Sequence, residues 1–170
     1  MKITLNAGHT LSGAGSGAIG HIKESTETRK VVSLVAGYLK TKGHTVSIVN
    51  VDKARSQSEY LSTVARTANR EGADLFVSIH FNAGGGHGTE CFTWRGEKVK
   101  AAVGICEELN KLGFRNRGVK NGSNFYVIKK TTMPAIIAEV CFVDSRSDYD
   151  RYKKIGVNEV AKAIANGILK

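Results

Sequence analysis

Apolar and polar residues along this chain follow two different periods, one typical of buried strands and one of amphipathic helices. Patterns typical of strands lie at residues 2–6, 46–51, 74–80, 89–95, 125–128 and 135–143. The run at 135–143 is almost entirely apolar, which predicts a central strand buried on both faces. The run at 89–95 is instead typical of an exposed or edge strand.

Between these runs, apolar residues recur at i, i+3, i+4 and i+7, the period of a helix with one buried face. This period predicts helices at residues 24–42, 61–72, 99–109 and 157–168. Strands that alternate with helices predict a single α/β domain over residues 1–170, with a twisted, mostly parallel sheet of about six strands and helices on both faces. No linker and no internal repeat divides the chain, and no wall-binding module is expected within it.

Chemically versatile side chains follow or end several of the predicted strands. Ligand sites in open α/β sheets lie beyond the carboxyl ends of the strands. His9 comes just after the first strand, His80 ends the third, and Glu139 lies within the last. A carboxylate in so apolar a strand is costly unless it is paired, protonated or bound to a cation, and functional sites are where such costs are tolerated.

Two histidines at strand ends, together with a glutamate that starts a helix, form a candidate zinc triad. Catalytic zinc takes imidazole nitrogens and carboxylate oxygens from three protein ligands and keeps one position open. The candidates are His9, His80 and either Glu24 or Glu27, which spacing alone does not separate. The alternative is structural: strand-end histidines are often hydrogen-bonded parts of the fold, and a glutamate in a first helical turn stabilises the helix dipole.

Composition narrows the classes of function. The net charge of +10 favours anionic partners, but no run of five basic residues occurs and aromatic residues are only 7% of the chain, so nucleic acid is not an expected partner. No apolar run long enough to span a membrane is present. Cys91, Cys106 and Cys141 are odd in number and lack a CxxC spacing, which predicts buried thiols.

Five sequence blocks resemble, in order, those of the zinc-dependent N-acetylmuramoyl-L-alanine amidases of the amidase 3 family. This family includes autolysins, sporulation amidases and catalytic domains of phage endolysins. The most specific block contains Ser-Ile-His-Phe-Asn-Ala at residues 78–83. The blocks span residues 6–9, 17–24, 66–83, 116–120 and 139–144.

The resemblance implies a function and a set of roles. One Zn²⁺ per chain would be held by His9, Glu24 and His80, so the resemblance favours Glu24 over Glu27. Glu139 would be the catalytic acid and base, and the bond cut would join N-acetylmuramic acid to L-alanine in bacterial peptidoglycan. Asn82 and Asn124 are further candidates for hydrogen bonds to the glycan or peptide.

The resemblance also has departures and rivals. The Asp-Pro that usually follows the first Gly-His is replaced here by Thr10-Leu11-Ser12. We expect a monomer that acts at the cell wall, on peptidoglycan and near anionic wall polymers, and that lacks a signal peptide. It would stay cytosolic until lysis, a holin-type route or other export releases it. The rival hypotheses are a zinc peptidase that cuts within the stem peptide and a non-catalytic cationic module that binds the wall.

Overall fold

Six strands form the central sheet of the protein in a computed structural model that describes residues 1–170. They are β1 (Lys2–Ala7), β3 (Thr45–Val49), β5 (Leu75–Asn82), β6 (Thr89–Thr93), β7 (Asn116–Asn121) and β8 (Ala135–Phe142), and the short β2 (Ser12–Gly13) and β4 (Lys53–Ala54) pair separately. The order across the large sheet is β3-β1-β5-β8-β6-β7. Neighbours among the first four strands are parallel, β6 is antiparallel to β8, and β7 is parallel to β6.

Six helices surround this sheet. They are α1 (Glu24–Thr41), α2 (Gln57–Glu71), α3 (Lys100–Lys111), α4 (Tyr126–Lys130), α5 (Arg146–Ile155) and α6 (Val157–Ile168). Helix α2 begins where the Ser56 hydroxyl accepts a hydrogen bond from the Glu59 N–H, and it ends at Gly72, whose backbone is left-handed. None of the helices is both long and apolar enough to cross a membrane.

The two faces of the sheet differ in composition because side chains alternate along each strand. We call the face under α1, α3 and α6 the closed face; its 31 buried apolar residues include Leu5 and Ile79. The opposite face, under α2 and α4, we call the open face. Its apolar cluster has only 10 buried residues, and its strands also carry polar side chains such as Asn6 and Ser78. The predicted α/β domain with helices on both faces is confirmed.

Some predicted elements were wrong. Residues 125–128, predicted as a strand, belong to helix α4 and the residue before it. Residues 89–95 do contain a strand, but β6 lies inside the sheet between β8 and β7, and residues 89–91 are buried. The sheet ends instead at β3 and at β7, whose polar sequence Asn-Arg-Gly-Val-Lys-Asn did not predict a strand. All three cysteines are buried and free, as expected.

Candidate metal centre and active site

The backbone turn after β1 places the His9 ring at the rim of the open face. His9 has a positive φ of 69°, and its N–H donates to the Tyr60 hydroxyl of α2 over 2.7 Å. Its Nδ1 lies 2.9 Å from the Gly15 carbonyl oxygen. Because a carbonyl can only accept, Nδ1 carries a proton and Nε2 is free to face Glu24 Oε1 at 3.1 Å. Burial acts to lower the pKa of His9, but the Glu24 hydrogen bond and charge outweigh burial and raise it.

Glu24 is the first residue of α1, and its carboxylate is buried and held from two sides. Oε1 accepts from the Phe81 N–H at 3.0 Å, and Oε2 accepts from the Ala18 N–H at 2.9 Å. Burial acts to raise the pKa of Glu24, but hydrogen bonds and charge from the two histidines hold it far below its usual range. Glu27 lies elsewhere, accepting a hydrogen bond from the Tyr152 hydroxyl. The structure therefore brings Glu24, and not Glu27, to the histidines.

His80 completes the group from strand β5. Its Nδ1 lies 3.2 Å from Glu24 Oε1, and its ring meets the His9 ring edge-on with centroids 4.8 Å apart. Burial lowers the pKa of His80, although Glu24 acts in the opposite direction. One ligand atom from each of His9, Glu24 and His80 lies within 4.8 Å of the others. Three distant parts of the chain thus converge on a group that could hold a metal ion.

Two glycines make room for this convergence. A Cβ atom at Gly8 would lie 2.4 Å from the His80 ring, closer than atoms can approach. A Cβ atom at Gly17 would lie 2.7 Å from the His9 ring and 2.9 Å from Glu24 Oε2, and the φ of Gly17 is +78°. Side chains at either position would therefore displace the candidate ligands. The glycine-rich loop after β1 is a structural requirement of the group it surrounds.

Glu139 lies beside this group on β8, directly opposite His80 in the strand register. Its Oε2 is buried and has no hydrogen-bond partner. Burial raises the pKa of Glu139 well above its usual range, and the negative charges of Glu24 and Glu90 add to the rise. A buried carboxyl group without a partner favours the protonated form unless a cation or substrate is present.

Glu139 and the histidines line one cavity of about 360 Å³ on the open face. The wall opposite the sheet comes from α2 and from the segment leading into α4. Its lining includes Asn6, His9, Tyr60, Ser78, His80, Asn124, Phe125, Tyr126 and Glu139. The lining combines polar groups with aromatic and aliphatic side chains, which is typical of a ligand-binding site.

The two candidate substrate-binding asparagines occupy different places. Asn124 lines the cavity. Asn82 does not; its amide nitrogen donates to Glu90 at 2.8 Å, and its carbonyl oxygen accepts from the Ala83 N–H. Glu90 also forms an ion pair with Arg117 at 2.8 Å. Contact with substrate remains a prediction for both asparagines, and Asn82 additionally holds the buried Glu90 in place.

Several residues of the site were not predicted from the sequence. Asn6, Ser78 and Tyr60 all contribute to the cavity and contact the histidines directly or through one another. A weak signal was available for two of them, because Asn6 and Ser78 interrupt apolar runs at positions that share one face of their strands. Glu90 was missed because residues 89–95 were interpreted as an exposed strand.

The α/β fold and the His–Glu–His group beside a buried glutamate make this protein a candidate for the class of metal-dependent hydrolases. The family model for N-acetylmuramoyl-L-alanine amidase matches residues 3–170. The chain therefore belongs to the N-acetylmuramoyl-L-alanine amidase family, as its sequence blocks predicted.

Individual relatives agree with this assignment. The chain is 33% identical over 175 residues to the N-acetylmuramoyl-L-alanine amidase CwlM of Bacillus licheniformis, covering 100% of this chain and 68% of that protein. It is 35% identical over 176 residues to an uncharacterized protein of Clostridium perfringens, covering 99% of this chain but 51%, about half, of that relative. The solved catalytic domain of the CD27L endolysin, which targets Clostridia difficile, superposes with a TM-score of 0.92 at 30% identity, covering 99% and 97% of the two chains.

Proposed function

We propose that this protein is a zinc-dependent amidase that hydrolyses the amide bond between N-acetylmuramic acid and L-alanine in bacterial peptidoglycan. Family membership supports the reaction, and relatives that carry the name of this activity support the substrate. The observation that carries the proposal is the convergence of His9, Glu24 and His80 beside Glu139 in one cavity.

The chemistry of the donor set fits zinc. Two imidazole nitrogens and one carboxylate oxygen are a common set of three protein ligands in catalytic zinc sites, which leave a position open. The His9 ring is oriented by Gly15, and the Glu24 carboxylate by two backbone N–H groups, so neither ligand must be reorganised on binding. Gly8 and Gly17 have no side chains that would collide with His9, Glu24 or His80, so the three ligands can lie close enough together to bind one ion. When bound, zinc supplies Lewis-acid chemistry, making water more acidic and polarising an amide carbonyl.

Glu139 is suited to move the proton. Glu139 lines the cavity beside His80, where its carboxylate can accept a proton from the attacking water. The protonated carboxyl group can then donate that proton to the departing alanine nitrogen, which would otherwise leave as an unstable anion. Burial, together with the negative charges of Glu24 and Glu90, raises the pKa of Glu139, which favours return of the proton to the leaving nitrogen.

The rest of the cavity offers contacts for the glycan or the peptide next to the bond that is cut. Asn124 can bind a polar group of the glycan or peptide, while Phe125 and Tyr126 offer partly exposed aromatic faces beside it. The net charge of +10 favours approach to anionic wall polymers. We further propose that the protein acts at the bacterial cell wall as a monomer.

End-group analysis of digested cell walls tests the proposal. Purified walls are treated with the zinc-loaded protein, and new amino termini and reducing sugar ends are measured. An amidase releases alanine amino termini and leaves the glycan intact. New amino termini of other stem residues would support the peptidase alternative, and binding to walls without any new end would support the non-catalytic module. Either outcome would overturn the proposal.

A further inference from the structure

A chain of buried polar side chains runs from the interior of the sheet to the His80 ring. Asn6 on β1 and Ser78 on β5 are register partners in adjacent strands, and both are only 1% exposed. Ser78 Oγ lies 2.6 Å from Asn6 Oδ1, and His80 Nε2 lies 3.0 Å from Ser78 Oγ. The far end is anchored where Asn6 Nδ2 donates to the Val49 carbonyl oxygen over 2.7 Å.

Each hydrogen bond between these side chains has only one possible donor. The Val49 carbonyl can only accept, so the Asn6 amide must turn its nitrogen towards it and its oxygen towards Ser78. The Ser78 hydroxyl must then donate to Asn6 Oδ1, because two oxygens 2.6 Å apart need a proton between them. The Ser78 oxygen can therefore only accept from the His80 ring. His80 therefore donates a proton from Nε2 to Ser78, and Nδ1 is the nitrogen that faces Glu24 Oε1 at 3.2 Å and the centre of the ligand group. A metal ion bound there would take the Nδ1 lone pair in place of a proton shared with Glu24.

We propose that Asn6 and Ser78 are positioning residues that fix the tautomer and orientation of His80 so that Nδ1 is presented to a metal ion. The inference rests on the proposed metal centre. Ligating histidines depend on the partner of their second nitrogen, and losing that partner lowers metal affinity by about 10- to 100-fold. Here that partner is itself fixed by a second residue on a neighbouring strand.

A comparison within β1 shows how the Asn6–Ser78–His80 hydrogen bonds differ from an isolated pair of buried polar side chains. Thr4, two residues before Asn6 on the same face, bonds the Ser47 hydroxyl of β3 at 2.9 Å, and no histidine takes part in that pair. The Asn6–Ser78 pair, in contrast, is also hydrogen-bonded to His80, a candidate metal ligand. Burying these groups costs free energy unless each is satisfied. The hydrogen bonds satisfy them and at the same time set the state of the imidazole.

The first test measures the His80 tautomer directly in the metal-free protein. Nitrogen-15 NMR of the imidazole rings distinguishes a protonated nitrogen from a bare one, and His80 is assigned by its loss in His80→Gln. The proposal requires a proton on Nε2 in the wild type, donated to Ser78. In Ser78→Ala the Nε2 proton loses its acceptor while Nδ1 keeps Glu24, so the Nδ1-protonated form should gain population. A wild-type ring with a bare Nε2, or an unchanged Nε2 signal in Ser78→Ala, would overturn the proposal.

The second test measures zinc affinity by competition with a chelating dye. Ser78→Ala is expected to weaken binding by about 10- to 100-fold, and Ser78→Thr, which keeps the hydroxyl, to restore it. Asn6→Leu should weaken binding in the same way, because Ser78 then loses the acceptor that directs its hydroxyl. Thr4→Val is the matched control: it removes a buried hydroxyl from the same strand and face and should leave affinity unchanged.

The outcomes separate this inference from the proposed function. If wild-type protein binds no zinc but holds His80 with the proton on Nε2, the metal centre fails while the hydrogen-bond chain stands. If zinc binds with equal affinity to wild type, Ser78→Ala and Asn6→Leu, the positioning role is wrong and the amidase proposal survives. An equal loss of affinity in Thr4→Val would show a general effect of strand packing and would also overturn the positioning role.

Discussion

The closed and open faces of the central sheet are built from the same strands but use their alternating side chains differently. On β1, Leu5 points into an apolar cluster of 31 buried residues, while its neighbour Asn6 lines the cavity of the open face. On β5, Ile79 and His80 divide in the same way. The closed face supplies an extensive apolar core, and the open face holds polar groups whose burial that core can offset. A site of this kind needs a rigid sheet behind it, because its side chains must keep their geometry without a ligand.

Removing the metal is expected to have the largest effect on amidase activity. The effect should be confined to the open face. Stripping zinc with a chelator should lower amidase activity by about three orders of magnitude or more, since Lewis-acid assistance contributes several kcal/mol to the transition state. Far-ultraviolet circular dichroism should change little, because the core on the closed face contains none of the proposed ligands. Undiminished activity in protein with no measurable metal would contradict this.

Glu139→Gln should separate catalysis from metal binding. The amide cannot accept a proton from water, so activity should fall by about 10²- to 10⁴-fold, the usual size of acid–base catalysis. Zinc content should stay the same, because Glu139 is not one of the three proposed ligands. Activity on muramyl-alanine amides and metal content are measured on the same preparation. A fully active variant would remove Glu139 from the mechanism.

Leu5→Ala should damage the closed face instead. Leu5 is fully buried, and truncation of such a side chain typically lowers the free energy of unfolding by about 2 to 5 kcal/mol. Urea denaturation of the metal-free protein measures this loss. Zinc affinity of the remaining folded protein should match that of wild type, because the Leu5 side chain points away from the site. A large drop in affinity would show that the two faces are not separable in this way.

Ser56→Ala should give the smallest effect, on the helix that borders the open face. The Ser56 hydroxyl caps α2, and its loss is expected to lower the free energy of unfolding by about 1 kcal/mol. Amidase activity should be unchanged under conditions where the protein stays folded, since Tyr60 and its bond to His9 lie one turn further along α2. Thermal denaturation beside an activity assay checks both parts.

The sequence predicts the elements whose apolar residues recur with a strong local period, and it points to candidate site residues at the ends of predicted strands. The long apolar strands and the long helices have such a period. His9, His80 and Glu139 could be named as candidates because strand ends meet at one edge of the sheet, and the structure places these three residues around one cavity. Helix α4 was missed because its five residues, Tyr126–Lys130, are too few to distinguish a helical period from an alternating one. Helix α5 was missed because it buries only Asp148 and Tyr152 and so has no apolar stripe.

The hydrogen-bond partners of the site could not be predicted for a different reason. Asn6 and Ser78 are 72 positions apart, and nothing local to either residue specifies the other. Glu90 became a neighbour of Glu139 only through the antiparallel pairing of β6 with β8, which a mostly parallel sheet did not predict. Tertiary pairing, and not local pattern, decides which buried polar groups find partners.

Anomalous X-ray diffraction from crystals of the zinc-loaded protein, recorded on both sides of the zinc absorption edge, tests the central claim most directly. We expect one strong anomalous peak per chain, within bonding distance of His9 Nε2, His80 Nδ1 and a Glu24 carboxylate oxygen. A peak coordinated by other residues, or no peak in protein that is active on cell walls, would contradict the account.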